Sequence, residues 1–213
     1  MISPYVSFPL LWLLATLREI NSSTPLTDST IHQAVDNWCS GGSAKSNVQN
    51  TYGDLNDWNV SQVTNMKSLF INKNSFNDDI GNWDVSSVTS MRSMFYNAEA
   101  FNQPVGNWNM SSVTDTSYMF YNAEAFNQPL GNWNVSLVTS MRSMFNNAQA
   151  FNQPLGNWSV GSVTDMNSMF YNAQAFNQPL GNWDVSSVTV MSSMFMYAQV
   201  FNQPLVLRCG YLM

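Results

Sequence analysis

Charge is scarce in this chain. Seven Lys and Arg and thirteen Asp and Glu make up only 9% of 213 residues, giving a formal net charge of −6 and a pI near 4.4. Between residues 76 and 205 the only basic side chains are Arg92 and Arg142. No basic stripe exists to neutralise phosphates, so nucleic-acid partners are excluded. Histidine is nearly absent as well. His32 stands alone on a predicted helix, which leaves it without a partner for a His-based metal site or catalytic pair. Cys39 and Cys209 lie near opposite ends of the chain, at neither zinc nor redox spacing, and do not identify a redox compartment. No H-E-x-x-H, Walker loop or nucleophile elbow occurs. The adjacent Asp78 and Asp79 read as a solvated turn rather than a cation site. The sequence thus implies no catalytic residue, no metal and no cofactor, and a non-enzymatic role. Long apolar runs are missing too. YVSFPLLWLLATL, at 5–17, is too short to span a bilayer. No Lys or Arg precedes it, and Arg18 and Glu19 follow directly, unlike the basic lead and small-residue cleavage site of a secretory signal. Residues 1–26 stand as an amino-terminal extension or signal segment.

What the chain has is repetition. Tryptophan recurs every 25 residues at Trp58, Trp83, Trp108, Trp133, Trp158 and Trp183, and phenylalanine keeps the same period at Phe76, Phe101, Phe126, Phe151, Phe176 and Phe201. That period lies within the range of leucine-rich repeats and is too short for paired-helix repeats. A single coil of this length cannot bury its own apolar side, but stacked coils cover one another and pair their backbones. Within a coil, Met91, Met94, Phe95 and Ala98 stand at i, i+3, i+4 and i+7. The spacing predicts a short helix begun by Thr89 or Ser90, with Arg92, Ser93, Tyr96, Asn97 and Glu99 turned outward. Trp83 and Val85 alternate with polar residues, so NWDV predicts a short strand. Phe101 to Val105 is the other candidate, although Pro104 removes a ladder donor there. Gly106, Gly131, Gly156 and Gly181 mark the bend. The expected fold class is α/β: a leucine-rich-repeat-like solenoid with one short parallel strand and one short helix per 25-residue coil.

The run W-x-V-S-x-V-T-x-M-x-x-M-F, seen as WDVSSVTSMRSMF at 83–95 and WNVSLVTSMRSMF at 133–145, resembles the BspA-like surface-protein family of bacteria and protists. The resemblance covers residues 58–205 in six coils, with Thr116 and Leu69 departing from the two methionines. It implies a leucine-rich-repeat solenoid, cell-surface or secreted, that serves adhesion or binding and has no catalytic residues. Ahead of the repeats, residues 27–57 contain TDSTIHQAVDNW, where Ile31, Val35 and Trp38 predict a helix capped by Thr27 or Asp28. That helix is expected to close the amino-terminal end of the stack. Residues 206–213, VLRCGYLM, form a divergent tail where GNWDVSSV was due. With no polar coil there, the end predicts self-association or a place in a longer repeat protein.

The unvarying Trp and Phe columns read as core rather than as a platform for sugars. Tyr96, Tyr121 and Tyr171 fall on the outward side, interrupted by Asn146 and Met196, where they either stack on a partner or pack between coils. A binding face is otherwise drawn from columns that vary between coils, of which the first reads Asp84, Asn109, Asn134, Ser159 and Asp184. N-x-S sequons at Asn21, Asn59, Asn109, Asn134 and Asn157 mark glycosylation acceptors. Three functions follow. One is an extracellular or cell-surface module that binds protein or glycan over an extended face. Another is a structural spacer or coat component with no ligand. The third is ice or mineral recognition through the Thr89, Thr114, Thr139, Thr164 and Thr189 column, which repeats at roughly 5 Å if the coils stack like strands.

Overall fold

The computed structural model of the chain describes residues 24–204. The amino-terminal extension up to residue 23, the sequon at Asn21, Cys209 and the divergent tail lie outside the described residues. Two helices precede the repeats, α1 (Ile31–Ser40) and α2 (Gly42–Tyr52), followed by a 3-10 turn over Leu55–Asp57. Gly41 separates the helices with φ +70°, a left-handed conformation that a side chain rarely adopts. α1 buries Ile31, Ala34, Val35 and Trp38, whose spacing lines one side of the helix, against the first coil. The Trp38 ring meets Trp58 edge-on at 5.7 Å.

Neither Thr27 nor Asp28 caps α1 with its side chain; Thr30 holds the cap position. The Asp28 carboxylate instead accepts from the backbone N–H and hydroxyl of Thr64, at 2.8 and 2.6 Å, and from the Asn65 N–H at 3.0 Å. In every later coil the corresponding Thr N–H and hydroxyl donate to the Thr carbonyl of the preceding coil, as Thr89 does to Thr64 at 2.8 and 3.1 Å. The first coil has no preceding one, and Asp28 supplies the missing acceptor. Asp78 and Asp79 are exposed, as a solvated turn requires, and they also tie the first coil to the cap. Asp78 accepts from Trp38 Nε1 at 2.6 Å, and Asp79 from Asn56 Nδ2 and the Gly81 N–H.

The segment 91–98 is not a helix. Among the described residues beyond the cap there is no helix, and one parallel bridge recurs from coil to coil, linking Asn65, Ser90, Asp115, Ser140, Asp165 and Val190, with a further one from Thr27 to Gln62 of the first coil. The bridge shared by all coils falls in the Ser90 column; of the NWDV segments only the last has a bridge residue, Asp184, and 101–105 has none. The reason is where the backbone donors point. Met94, Tyr96 and Ala98 N–H groups bond back three residues, to Met91, Ser93 and Phe95, closing linked turns. Met91, Ser93, Phe95 and Asn97 N–H groups instead reach forward to Asp115, Ser117, Met119 and Tyr121 carbonyls in the next coil, at 2.9 to 3.0 Å. A helix would hold all of these bonds inside one coil. Ser93 and Asn97 have φ of +56° and +57°, the positive value that every second turn in the chain of turns demands. The same two columns repeat it throughout the stack.

Side chains build the remaining links. Trp133 Nε1–H donates to the Val105 carbonyl at 2.9 Å, and each Trp from Trp83 to Trp183 makes the same bond to the preceding coil. In the segment 101–105 Pro104 has no N–H, and an asparagine ladder replaces the backbone ladder. Asn127 N–H donates to Asn102 Oδ1 at 2.9 Å, while Gln128 Nε2 braces the Asn102 side chain and carbonyl. Gly106 is needed because the Pro129 carbonyl sits 2.3 Å from where its Cβ would be. Inside, Phe70, Phe95, Phe120, Phe145, Phe170 and Phe195 stack with centroids 5.4 to 5.6 Å apart. The Phe101 column runs beside them, 4.0 to 4.1 Å away within a coil.

Candidate functional site

A patch of tyrosine and arginine occupies one face of coils two to four. Tyr96 and Tyr121 lie parallel, with ring centroids 4.5 Å apart and planes 3° from parallel. Tyr118 sits 6.2 Å from Tyr121, with the Arg92 guanidinium over its ring at 5.0 Å. Arg142 Nε donates to the Tyr118 hydroxyl at 2.7 Å. Each arginine also approaches an aspartate of the next coil, Arg92 to Asp115 at 3.9 Å and Arg142 to Asp165 at 3.6 Å. These are long, half-exposed pairs that contribute little to stability. The Tyr118 hydroxyl, accepting from Arg142, holds its guanidinium protonated above the usual arginine range, with Asp165 helping. Partial burial and then the facing Tyr121 push the Tyr96 phenol up.

The local fold explains how these groups come together. Tyr96 and Tyr121 occupy one column, and the coil rise stacks them. Tyr118 occupies the column of Ser68, Ser93, Ser143, Ser168 and Ser193, and keeps its positive φ of +59°. A bulky side chain is rarely found there. The same coil replaces methionine by Thr116, which is fully buried and donates its hydroxyl to the Ser140 carbonyl. Ser117 bonds Ser140 through its hydroxyl at 2.7 Å. The departures from the repeat thus gather beneath the patch.

Of the residues picked from sequence, Tyr96 and Tyr121 belong to this patch. Tyr171 lies apart, edge-on to Tyr197 at 5.2 Å, with buried Asn146 interrupting the column between them. Asp84, Asn109, Asn134, Ser159 and Asp184 are exposed. Four of them have a local task, because Asp84, Asn109, Asn134 and Asp184 each accept the N–H two residues on with Oδ1. The bond from Ser86 holds the Asp84 carboxyl below its ordinary range. The sequon asparagines Asn109, Asn134 and Asn157 are exposed and Asn59 is half-buried. The Thr column is exposed, but its hydroxyls already donate to the preceding coil. Tyr118 was missed, while Arg92 and Arg142 stand in a column read as outward and variable but not singled out. The signal for Tyr118 was available as the single break in a serine column.

A second concavity, about 530 Å³, opens between the cap and the first coil. Its charged groups are paired internally: Lys45 lies 4.1 Å over the Trp38 ring and 3.9 Å from Asp78, and Lys73 pairs with Asp36 at 2.7 Å. Burial pushes the Cys39 thiol up, away from the reactive thiolate. His32 is exposed on α1. Among the described residues no group of three or more His, Cys, Asp and Glu side chains is placed to hold a metal ion, and no helix is long and apolar enough to cross a membrane.

Two overlapping stretches, residues 42–140 and 129–207, match a family model described as "Mycoplasma protein of unknown function, DUF285". The chain belongs to this family. The matches run from α2 through all six coils of this DUF285 protein, so the family pattern and the 25-residue repeat coincide. No curated protein and no solved structure matches the chain.

Proposed function

We propose that this DUF285 chain is a non-enzymatic, BspA-like repeat module, secreted or displayed at a cell surface, that binds a protein partner through its tyrosine–arginine face. The W-x-V-S-x-V-T motif supports the kinship, and a leucine-rich-repeat-like solenoid is the class it suggests, in a variant whose helix is replaced by linked turns. The observation that carries the binding reading is Tyr118. It stands where the other coils have serine, in a backbone conformation that disfavours it, and its contacts are outward, to Arg92 and Arg142. Tyr197 shares such a backbone, but only Tyr118 combines it with contacts to two arginines, which points to a use for its side chain. Tyrosine and arginine together form the composition of binding hot spots. A protein partner fits better than a glycan because one face of each ring is already taken, Tyr96 by Tyr121 and Tyr118 by Arg92, which leaves less ring surface for a sugar to stack on.

The test is binding of the purified chain to intact cells and to a glycan array, beside a Tyr118→Ser, Arg142→Gln variant. The reading expects saturable, protease-sensitive cell binding that falls about tenfold or more in the variant at unchanged melting temperature. No cell binding at all would favour a spacer or coat component, and binding that the variant retains in full would rule out the tyrosine–arginine face as the binding site. A positive glycan array with protease-resistant binding would replace the protein partner by a sugar.

A further inference from the structure

The outward column that begins at Ile71 continues through Tyr96, Tyr121, Asn146, Tyr171 and Met196. Only coils two and three set one tyrosine directly over another. Their rings lie 4.5 Å apart between centroids and 3° from parallel. Both side chains are half-buried, so the stack is seated on the coil surface yet open to small solutes. The backbone fixes it. The Asn97 N–H donates to the Tyr121 carbonyl at 2.9 Å, tying the two positions directly. The Tyr96 and Tyr121 N–H groups make the same turn bond, to Ser93 and Tyr118, each at 3.2 Å. The two side chains therefore leave equivalent positions one coil apart. Corresponding ring carbons are separated much as the centroids are, and each carbon ortho to a hydroxyl lies over its counterpart.

We propose that Tyr96 and Tyr121 form an oxidative cross-linking site, at which a haem peroxidase and hydrogen peroxide join the two rings as a dityrosine. Each phenol gives up one electron and one proton, leaving two neutral phenoxyl radicals whose unpaired electrons are shared with the carbons ortho to oxygen. One Cε of Tyr96 and one Cε of Tyr121 then form a carbon–carbon bond. The hydrogens on those two carbons move to the phenolic oxygens, which restores both aromatic rings. The pair loses two hydrogen atoms in all, and these reduce one hydrogen peroxide to two waters. The new bond joins neighbouring coils on the face that carries Tyr118, and turns a stacked contact into a covalent one. It asks nothing of a binding partner and stands whether or not that face has one.

The other tyrosine contacts among the described residues are less suited. Tyr118 is tilted by 50° to Tyr121 at 6.2 Å, and its hydroxyl is engaged by Arg142. Tyr171 and Tyr197 meet edge-on, at 89°, so their rings do not overlap. Tyr52 packs on Trp58 instead of on a tyrosine. Tyr197, 58% exposed, is the ring most open to coupling between molecules, which concentration distinguishes from coupling within one. The Phe columns stack as closely as the tyrosines, but a ring without a hydroxyl forms no phenoxyl radical.

The test treats the full chain, at low concentration, with a haem peroxidase and hydrogen peroxide. A glutamate-specific protease then cuts after Glu99 and Glu124, which separates Tyr96 from Tyr118 and Tyr121. The expected product is a monomer lighter by two hydrogen atoms, with blue dityrosine fluorescence. After cleavage its fragments stay joined, and fragment-ion sequencing places the link at Tyr96 and Tyr121. The yield is expected not to depend on protein concentration. Tyr121→Phe, which keeps a stacked ring, is expected to lose the monomeric product, and Tyr118→Phe to retain it. A link mapped to another pair, monomeric dityrosine at the parent level in Tyr121→Phe, or cross-links formed only between molecules would each overturn the proposal. So would a treated monomer that keeps all its hydrogens.

Discussion

Trp133 donates its indole N–H to the Val105 carbonyl oxygen at 2.9 Å, which joins two coils by a buried side chain as well as by backbone. The indole is 3% exposed and stacks on Trp158 at 6.3 Å. Trp133→Ala is expected to lower stability by about 3–5 kcal/mol, as for other large buried aromatics. Trp133→Phe keeps most of the apolar contact and loses the donor, for a smaller loss of about 1–2 kcal/mol. Urea denaturation at constant slope measures both. An alanine variant within 1 kcal/mol of the parent, on the order of a surface change, would mean the Trp column does not hold the stack.

Two glycines of one column separate close approach from turn preference. A Cβ at Gly106 falls 2.3 Å from the Pro129 carbonyl, while one at Gly181 meets nothing within 4 Å. Gly106→Ala should cost about 1–3 kcal/mol through forced displacement of the next coil. Gly181→Ala should be neutral or stabilising by up to about 1 kcal/mol. Equal effects of the two in thermal denaturation would contradict the stacking geometry.

Tyr197 occupies the column of Asn72, Asn97, Asn122, Asn147 and Asn172 with φ +63°, and is 58% exposed. Asparagine tolerates this left-handed backbone at lower cost than tyrosine. Tyr197→Asn is therefore expected to raise stability by about 1 kcal/mol. Destabilisation on the same scale would show that the edge contact with Tyr171 outweighs the backbone term.

The bonds from Thr64 hold the Asp28 carboxyl below its ordinary 3.8, against a smaller opposing effect of burial. Because the folded value is depressed, the stabilisation is present at pH well above 3.8 and is lost as pH falls through the folded value. The carboxylate is exposed, so screening keeps its contribution to about 1 kcal/mol. Asp28→Asn should show that deficit near neutral pH and converge on the parent in acid. A deficit that persists unchanged at low pH would assign it to lost geometry instead of charge.

The sequence carried the columns more fully than the path between them. Trp83, Val85, Val88, Met91, Met94, Phe95, Ala98 and Phe101 are all buried, because a 25-residue period places each under its own copy whatever the local backbone. The helix was misread because linked turns alternating in the sign of φ reproduce the spacing i, i+3, i+4, i+7. The serine and asparagine columns at 93 and 97 were the clue to positive φ, and they were read simply as outward positions. Asp28 looked like a helix cap because only the three-dimensional path brings Thr64 within its reach. For the patch, the Tyr96 and Tyr121 pair was visible as a column. Arg142 could not be linked to Tyr118 before the coil-to-coil register was known.

The stacking itself is tested most directly by NMR detection of couplings across hydrogen bonds in the labelled chain. The Phe95 amide nitrogen is expected to couple to the carbonyl carbon of Met119, 24 residues ahead, as the 2.9 Å bond requires. Tyr118 should likewise couple to Arg142 and Asn147 to Tyr171. A coupling from Phe95 to Met91 instead, the partner that a helix would supply, would contradict this account of the coil.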